Sequence, residues 1–228
     1  MLRQLNINSK KLGKVEILST DQGVTIKTSR LEFRLLSLES PKKLITHYTS
    51  LLCNPENMKM MSSPWSAADV RRFISIGIYN NECQHSAIFT VYFVNTDNFI
   101  GSIRYHYVKD KYRTVGCGHK NVFEMGYVLD KPYWGQGYGT EMARTTVKFI
   151  KKFVCPSYED SQQPCPSEIV AIVDPRNEAS IKILKKTLKS SEVSDVMTSD
   201  LFFFRPLKKD KGMSDTKDQS PPTQSSSI

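Results

Sequence analysis

The sequence predicts a mixed α/β fold, an α+β sheet with helices, and three stretches carry that expectation. Residues 123–154 read as a strand, a glycine-punctuated turn and a long helix. Residues 169–188 repeat the order, with a β-branched strand ended by Asp174-Pro175 and a helix behind Asn177. Residues 87–107 read as two strands joined by a turn at Asn95-Thr-Asp-Asn98. At 228 residues the chain suffices for one domain with a sizeable core, not two.

The elements follow in order. Residues 1–24 form a polar N-terminal extension with one short strand expected at Val15 to Leu18. Thr28-Ser-Arg-Leu-Glu-Phe-Arg-Leu-Leu36 reads as the opening strand of a domain spanning 25–207. Ser40-Pro41 starts a helix through His47 to about Leu52, since proline suits the first helical position. Ser66-Ala-Ala-Asp69 has capping-box spacing with Asp in place of Glu, and opens a helix to about Tyr79. Val70, Phe73 and Ile74 share its core face, and Arg71 and Arg72 its solvent face.

Strands at Ala87–Val94 and Phe99–Tyr107 come next. The second alternates Ile103, Tyr105 and Tyr107 against Arg104 and His106. Lys109 to Lys120 is a polar loop. Phe123 to Leu129 is an apolar strand broken by Asp130-Lys-Pro132, because proline cannot donate to a ladder. A helix from Thr140 to about Val154 leads to a Pro-, Ser- and Gln-rich loop at 156–166. Asn177 caps a helix whose Ile181, Leu184 and Leu188 share one face. Leu201 to Pro206 is a last strand, and 208–228 a disordered Ser/Pro-rich tail.

The most informative words are Gly135, Gly137 and Gly139, alternating just before a helix. A helix start carries unpaired N–H groups and a partial positive charge, so it suits an anion such as a pyrophosphate. A P-loop would need a Lys after the glycines, and none is there. A dinucleotide fingerprint would need a third glycine where Thr140 stands.

The Gly-x-Gly-x-Gly spacing instead resembles the pyrophosphate loop of the GNAT superfamily of N-acetyltransferases. Gly126-Tyr-Val-Leu, Pro132-Tyr-Trp-Gly-Gln-Gly-Tyr and Thr140-Glu141 are similar to its RimJ/RimL-like branch, which acts on ribosomal proteins. Asn177 and Ser180 resemble the family's Asn-x-x-Ser helix, and Thr28 to Leu36 its first strand.

The resemblance implies an acyl-CoA N-acyltransferase fold with a central, largely antiparallel twisted sheet flanked by helices, and acetyl-CoA as co-substrate. It implies cofactor contacts from Tyr127, Val128 and Leu129 along the pantetheine, from Trp134, Gly135, Gln136, Gly137, Tyr138, Gly139 and Thr140 at the loop, and from Asn177. Two places depart from the family pattern. Trp134 stands where many relatives carry Arg or Gln, and Leu188-Lys189-Ser190 replaces a usual Gly-Phe pair.

Acyl transfer to an amine needs a held thioester, a neutral amine and a stabilised leaving thiolate. Positioning supplies much of the rate. The resemblance puts Ser180 at the general acid. Glu124, a carboxylate in an otherwise apolar strand, is the candidate general base through water. No Ser-His-Asp arrangement is evident, so direct attack is expected over an acyl-enzyme. The resulting expectation is an acetyl-CoA-dependent N-acetyltransferase acting on a protein N-terminus or a small-molecule amine. The alternative is a non-catalytic acyl-CoA-binding module.

Bulk properties bound the other classes. The net charge of +9 admits nucleic acid, a membrane surface or an anionic ligand. Nothing interleaves aromatics with the charges, so nucleic acid is not expected. Arg144, Lys148 and Lys151 form a basic stripe beside Ala143, Val147, Ile150 and Val154. It is either a solvated face or a means of concentrating an anionic cofactor. No apolar stretch nears the roughly 20 residues of a membrane span, and the N-terminus is too polar for a secretory signal. Five cysteines without a Cys-x-x-Cys pair suit reduced thiols in a cytoplasmic protein. His47, His85, His106 and His119 are scattered, so no metal is expected.

Overall fold

Strand pairing, more than helix packing, positions everything that follows. The computed structural model describes residues 2–61, 63–79, 85–109, 121–160, 166–188, 192–194 and 200–207. The expected loop at 110–120, residues 161–165 of the next loop, the tail from 208, and Cys83, Cys117, Cys165 and His119 lie outside the described residues.

Among the described residues ten strands form one sheet. They are β1 (Arg3–Ser9), β2 (Gly13–Ser19), β3 (Val24–Lys27), β4 (Leu31–Leu35), β5 (Ser86–Phe93), β6 (Phe99–Lys109), β7 (Asn121–Leu129), β8 (Glu168–Val173), β9 (Glu192–Ser194) and β10 (Leu201–Pro206). Their spatial order is β1-β2-β3-β4-β5-β6-β7-β8-β10-β9. Every neighbouring pair is antiparallel except β7 and β8, which run parallel. The largely antiparallel mixed sheet expected above is therefore present.

The N-terminal stretch differs from its reading. One short strand was expected, and two form, paired from Arg3–Ser19 to Ser9–Gly13. Polar residues alternate with Leu5, Ile7, Val15 and Ile17, and that period of two hid within a polar composition. The hairpin joins the main sheet through the β2–β3 pairing.

Helices cover both faces. On one lie α1 (Pro41–Leu52), α2 (Pro55–Met58) and α3 (Ala67–Tyr79). Ser40 accepts a hydrogen bond from the Lys43 N–H at the start of α1. Ser66 and Asp69 form the expected reciprocal box, with the Ser66 N–H donating to Asp69 at 3.0 Å and the Asp69 N–H to Ser66 at 3.2 Å. Leu44, Tyr48, Val70 and Ile74 bury against Ile88, Phe99 and Val128 of the sheet.

On the opposite face lie α4 (Tyr138–Phe149), α5 (Cys155–Asp160) and α6 (Glu178–Leu188). α4 runs through a π turn at Ile150–Val154 into α5, so the expected loop after Pro156 begins as helix. Phe33, Phe89, Phe123 and Phe203 are fully buried beneath these helices. Each contributes about 1.5–3 kcal/mol of transfer free energy.

Candidate active site

β7 is paired fully on one side and briefly on the other. Its ladder with β6 runs from Lys109–Asn121 to Gly101–Leu129. Its ladder with β8 holds only Val122–Glu168, Phe123–Ile169 and Glu124–Val170. Beyond Glu124 the two parallel strands part.

Ladder parity shows which main-chain groups face the gap. The Asp130 N–H donates to the Ile100 carbonyl at 2.9 Å, and the Asn121 carbonyl accepts from Ser167 across the β8 side at 3.0 Å. Even-numbered residues of β7 therefore bond β6, and odd-numbered ones face β8. Tyr127 and Leu129 turn their main-chain groups into the opening past the last paired position. Val128 does not; its main chain pairs with Ser102 and its side chain packs under α1–α3. Of the three strand residues expected along a pantetheine arm, two present main-chain groups to the gap.

The glycine loop follows at once. Asp130 caps a 3-10 turn over Lys131–Tyr133, and the chain then crosses Trp134 to Gly137 exposed. Gly135 and Gly137 have φ of +75° and +84°, conformations that favour glycine. Gly139 also has a packing role. It is buried, and a Cβ there would stand 2.8 Å from Ile183 Cδ1, so its bareness lets α4 and α6 meet. Gly137 caps α4 without a side-chain hydrogen bond. The first intrahelical bond comes from Glu141, whose N–H donates to the Gly137 carbonyl at 3.1 Å. The N–H groups of Tyr138, Gly139 and Thr140 thus remain for an external acceptor, and the donor set fits a pyrophosphate.

Side chains pin the loop. The Trp134 indole N–H donates to the Leu129 carbonyl at 2.6 Å, and the Gln136 amide to the Pro132 carbonyl at 2.9 Å. Arg30 reaches across from the β3–β4 turn. It donates through Nε to Glu141 at 2.7 Å and through Nη1 to the Gln136 carbonyl at 3.3 Å, with its guanidinium over the Tyr138 ring. Thr28 donates to the other Glu141 oxygen at 2.6 Å.

Two partners were invisible as a pattern in the sequence. Buried Asn57 in α2 donates to Asp130 at 2.9 Å and accepts from the Lys131 N–H at 2.9 Å. Arg30 and Glu141 stand 111 positions apart.

The candidate catalytic residues lie on opposite faces of the sheet. Ser180, in the first turn of α6, bonds the Tyr127 hydroxyl at 2.8 Å. Asn177 accepts from the Ser180 N–H at 3.0 Å, so it is the N-cap expected. Burial pushes the Tyr127 hydroxyl pKa up to about 12, with the Ser180 bond pulling weakly the other way.

Glu124 projects to the α1–α3 face at the last paired position, and His106 Nε2 lies 3.8 Å from its carboxylate. Arg104 stands opposite Gly126 on the same face. Among the described residues no group of three His, Cys, Asp or Glu side chains could hold a metal. No described helix is long and apolar enough to cross a membrane.

A family model described as the acetyltransferase (GNAT) domain matches residues 30–187. The chain belongs to the GNAT acetyltransferase family. It is an acetyl-CoA-dependent N-acyltransferase, with acetyl-CoA as its co-substrate.

Solved structures share the fold at low identity. A GNAT-family acetyltransferase from Bacillus anthracis is 16% identical, with a TM-score of 0.58 over 81% of this chain and 99% of that one. The aminoglycoside acetyltransferase AAC(6′)-Ib, solved with coenzyme A, is 14% identical, with a TM-score of 0.55 over 77% and 94%. RimL, a ribosomal L7/L12 α-N-protein acetyltransferase, is 12% identical, with a TM-score of 0.54 over 89% and 99%. A sequence search of curated proteins finds no match.

Proposed function

We propose that this chain moves an acetyl group from acetyl-CoA to a primary amine, on a protein N-terminus or a small molecule, by direct attack in a ternary complex. The observation that supports it is the parted β7–β8 seam, with Ser180 and Tyr127 on one face and Glu124 and His106 on the other. A cofactor entering from the α4–α6 side and an acceptor from the α1–α3 side would meet in the gap.

Acetyl-CoA supplies the thioester. The outward main-chain N–H groups of Tyr127 and Leu129 are the donors that would hold and polarise its carbonyl. Glu124 takes, through water, the proton the amine sheds as its nitrogen bonds the carbonyl carbon. The Ser180 hydroxyl gives a proton to the sulfur as the C–S bond breaks. Tyr127, kept a neutral hydroxyl by a pKa of about 12, holds the Ser180 hydroxyl through their shared bond, and solvent returns the Ser180 proton once the thiol has left. Asn177 holds the first turn of α6 and hence Ser180 in place. Trp134, Gly135, Gln136, Gly137, Tyr138, Gly139 and Thr140 make up the loop and helix start for the pyrophosphate. An α-amine, with a pKa of about 7.7–8.0, is partly neutral already and asks least of such a base, compared with lysine at about 10.4.

The test supplies acetyl-CoA with a panel of N-terminal peptides and small amines, and follows free thiol. Glu124→Gln and Ser180→Ala should each lower kcat about 100-fold with the melting temperature unmoved. Acetyl-CoA binding without thiol release for any amine would instead favour the non-catalytic module.

A further inference from the structure

We propose that the pocket beside the first turns of α4 is a phosphate subsite, and that it takes the 3′-phosphate of bound coenzyme A. The proposal rests on the acetyl-CoA reading above. It adds a residue from outside the matched segment, which begins at residue 30.

The pocket is a cavity of about 290 Å³ where three parts of the chain converge. The β1–β2 turn brings Lys11 and the start of β2 brings Gly13, the β3–β4 turn brings Arg30, and α4 with its N-cap Gly137 brings Glu141 and Arg144. Gly13 has φ of +69°, and nothing lies within 4 Å of where its Cβ would be, so the turn leaves the cavity open. Leu12 packs against the main core and seats the turn.

Charge decides what the cavity suits. Three cations face it, and one carboxylate. Both oxygens of Glu141 are engaged, Oε1 by Thr28 and Oε2 by Arg30. That pairing neutralises Arg30. Lys11 and the half-buried Arg144 make no hydrogen bond or ion pair among the described residues. Two positive charges are left over at one opening. A phosphate monoester carries close to two negative charges near neutrality, and charged hydrogen bonds from Lys and Arg are its natural partners.

Position identifies the source of the phosphate. Gly137 and Thr140 belong both to this cavity and to the helix start that fits a pyrophosphate. In coenzyme A the 3′-phosphate sits on the ribose attached to that pyrophosphate, so one ligand spans both sites. Part of the chain's basic character then has a purpose.

The test compares dissociation constants of the full chain for coenzyme A and dephospho-coenzyme A, which lacks only the 3′-phosphate. The wild type should bind coenzyme A about tenfold more tightly, the scale of one charged hydrogen bond. Lys11→Glu and Arg144→Gln should erase that ratio while leaving dephospho-coenzyme A binding within about twofold of the wild type. Lys10→Glu, on the same turn but off the cavity, should preserve it.

A wild-type ratio near one overturns the proposal, as does a ratio that survives Lys11→Glu or falls equally in Lys10→Glu. Thermal protection by inorganic phosphate beside a ratio near one would make this a free-phosphate site and also overturn it. Failure of both coenzyme A forms to bind overturns the acetyl-CoA reading together with the subsite, whereas tight binding without a ratio overturns the subsite alone.

Discussion

The two sides of β7 do opposite work. Toward β6 the ladder reaches from Asn121 to Leu129, and Gly101 lets the two main chains lie so close that a Cβ there would stand 2.4 Å from the Val128 carbonyl oxygen. Toward β8 the ladder stops at Glu124. Closure on one side holds the strand rigid. The opening on the other leaves main-chain groups of that same rigid strand for a ligand. Main-chain donors fixed this way need little reorganisation when charge develops in front of them, and such an opening is tolerated because the β6 side already anchors the strand.

The largest expected break falls on the open side. Gly137→Glu puts a carboxylate at the helix start, on a residue with φ of +84°. Calorimetric titration with acetyl-CoA should show affinity lowered more than about 100-fold. The saturable thermal stabilisation of the wild type, about 2.7 kcal/mol at a hundredfold excess over Kd, should disappear. A retained shift would remove the glycine loop from the cofactor site.

On the closed side the effect should be on stability instead. Gly101→Ala forces β6 and β7 apart against the Val128 carbonyl and should cost about 1–3 kcal/mol in urea unfolding. Acetyl-CoA affinity of the folded fraction should stay near wild type. If that variant lost affinity and kept its stability, the division of labour would be wrong.

The smallest effect sharpens the closed side further. His47 in α1 stacks on Phe99 of β6 at 4.6 Å, with Nε2 buried and without a hydrogen bond. Burial first, then Lys43, hold its pKa below the usual 6.5, while Glu39 and Asp97 oppose them. Its folded pKa is depressed, so its contribution is present above about pH 6.5 and is lost as pH falls through the folded value. Stability at pH 5.5 against 7.5 should drop by less than about 1 kcal/mol for this half-exposed ring. His47→Phe should flatten that part of the profile, and an unchanged slope would exclude it.

Local chemistry made much of this legible in advance. Ser40-Pro41, the Ser66–Asp69 box and Asn177 announce helix starts because their partners lie within three residues. The strand, turn and helix around Gly135 and Gly137 were readable because glycine marks a positive φ. The β1–β2 hairpin is only half legible, since its apolar residues alternate too sparsely among polar ones. The spacing marks Gly139 as part of the loop, but not its close approach to Ile183, which lies in another helix.

By itself, then, the sequence determined most of the domain's strands and longer helices, their caps, the loop type and the family, but not β1, β3, α2, α5 or β9. Tertiary structure alone decided that β7 and β8 part after Glu124, that Ser180 meets Tyr127 on one face while Glu124 meets His106 on the other, and that Arg30 closes on Glu141. It also brought Lys11 beside Arg144. The physical reason is one of range. Caps and turns are settled by groups a few bonds apart, whereas a strand's register fixes which face a side chain takes and which distant charge it finds there.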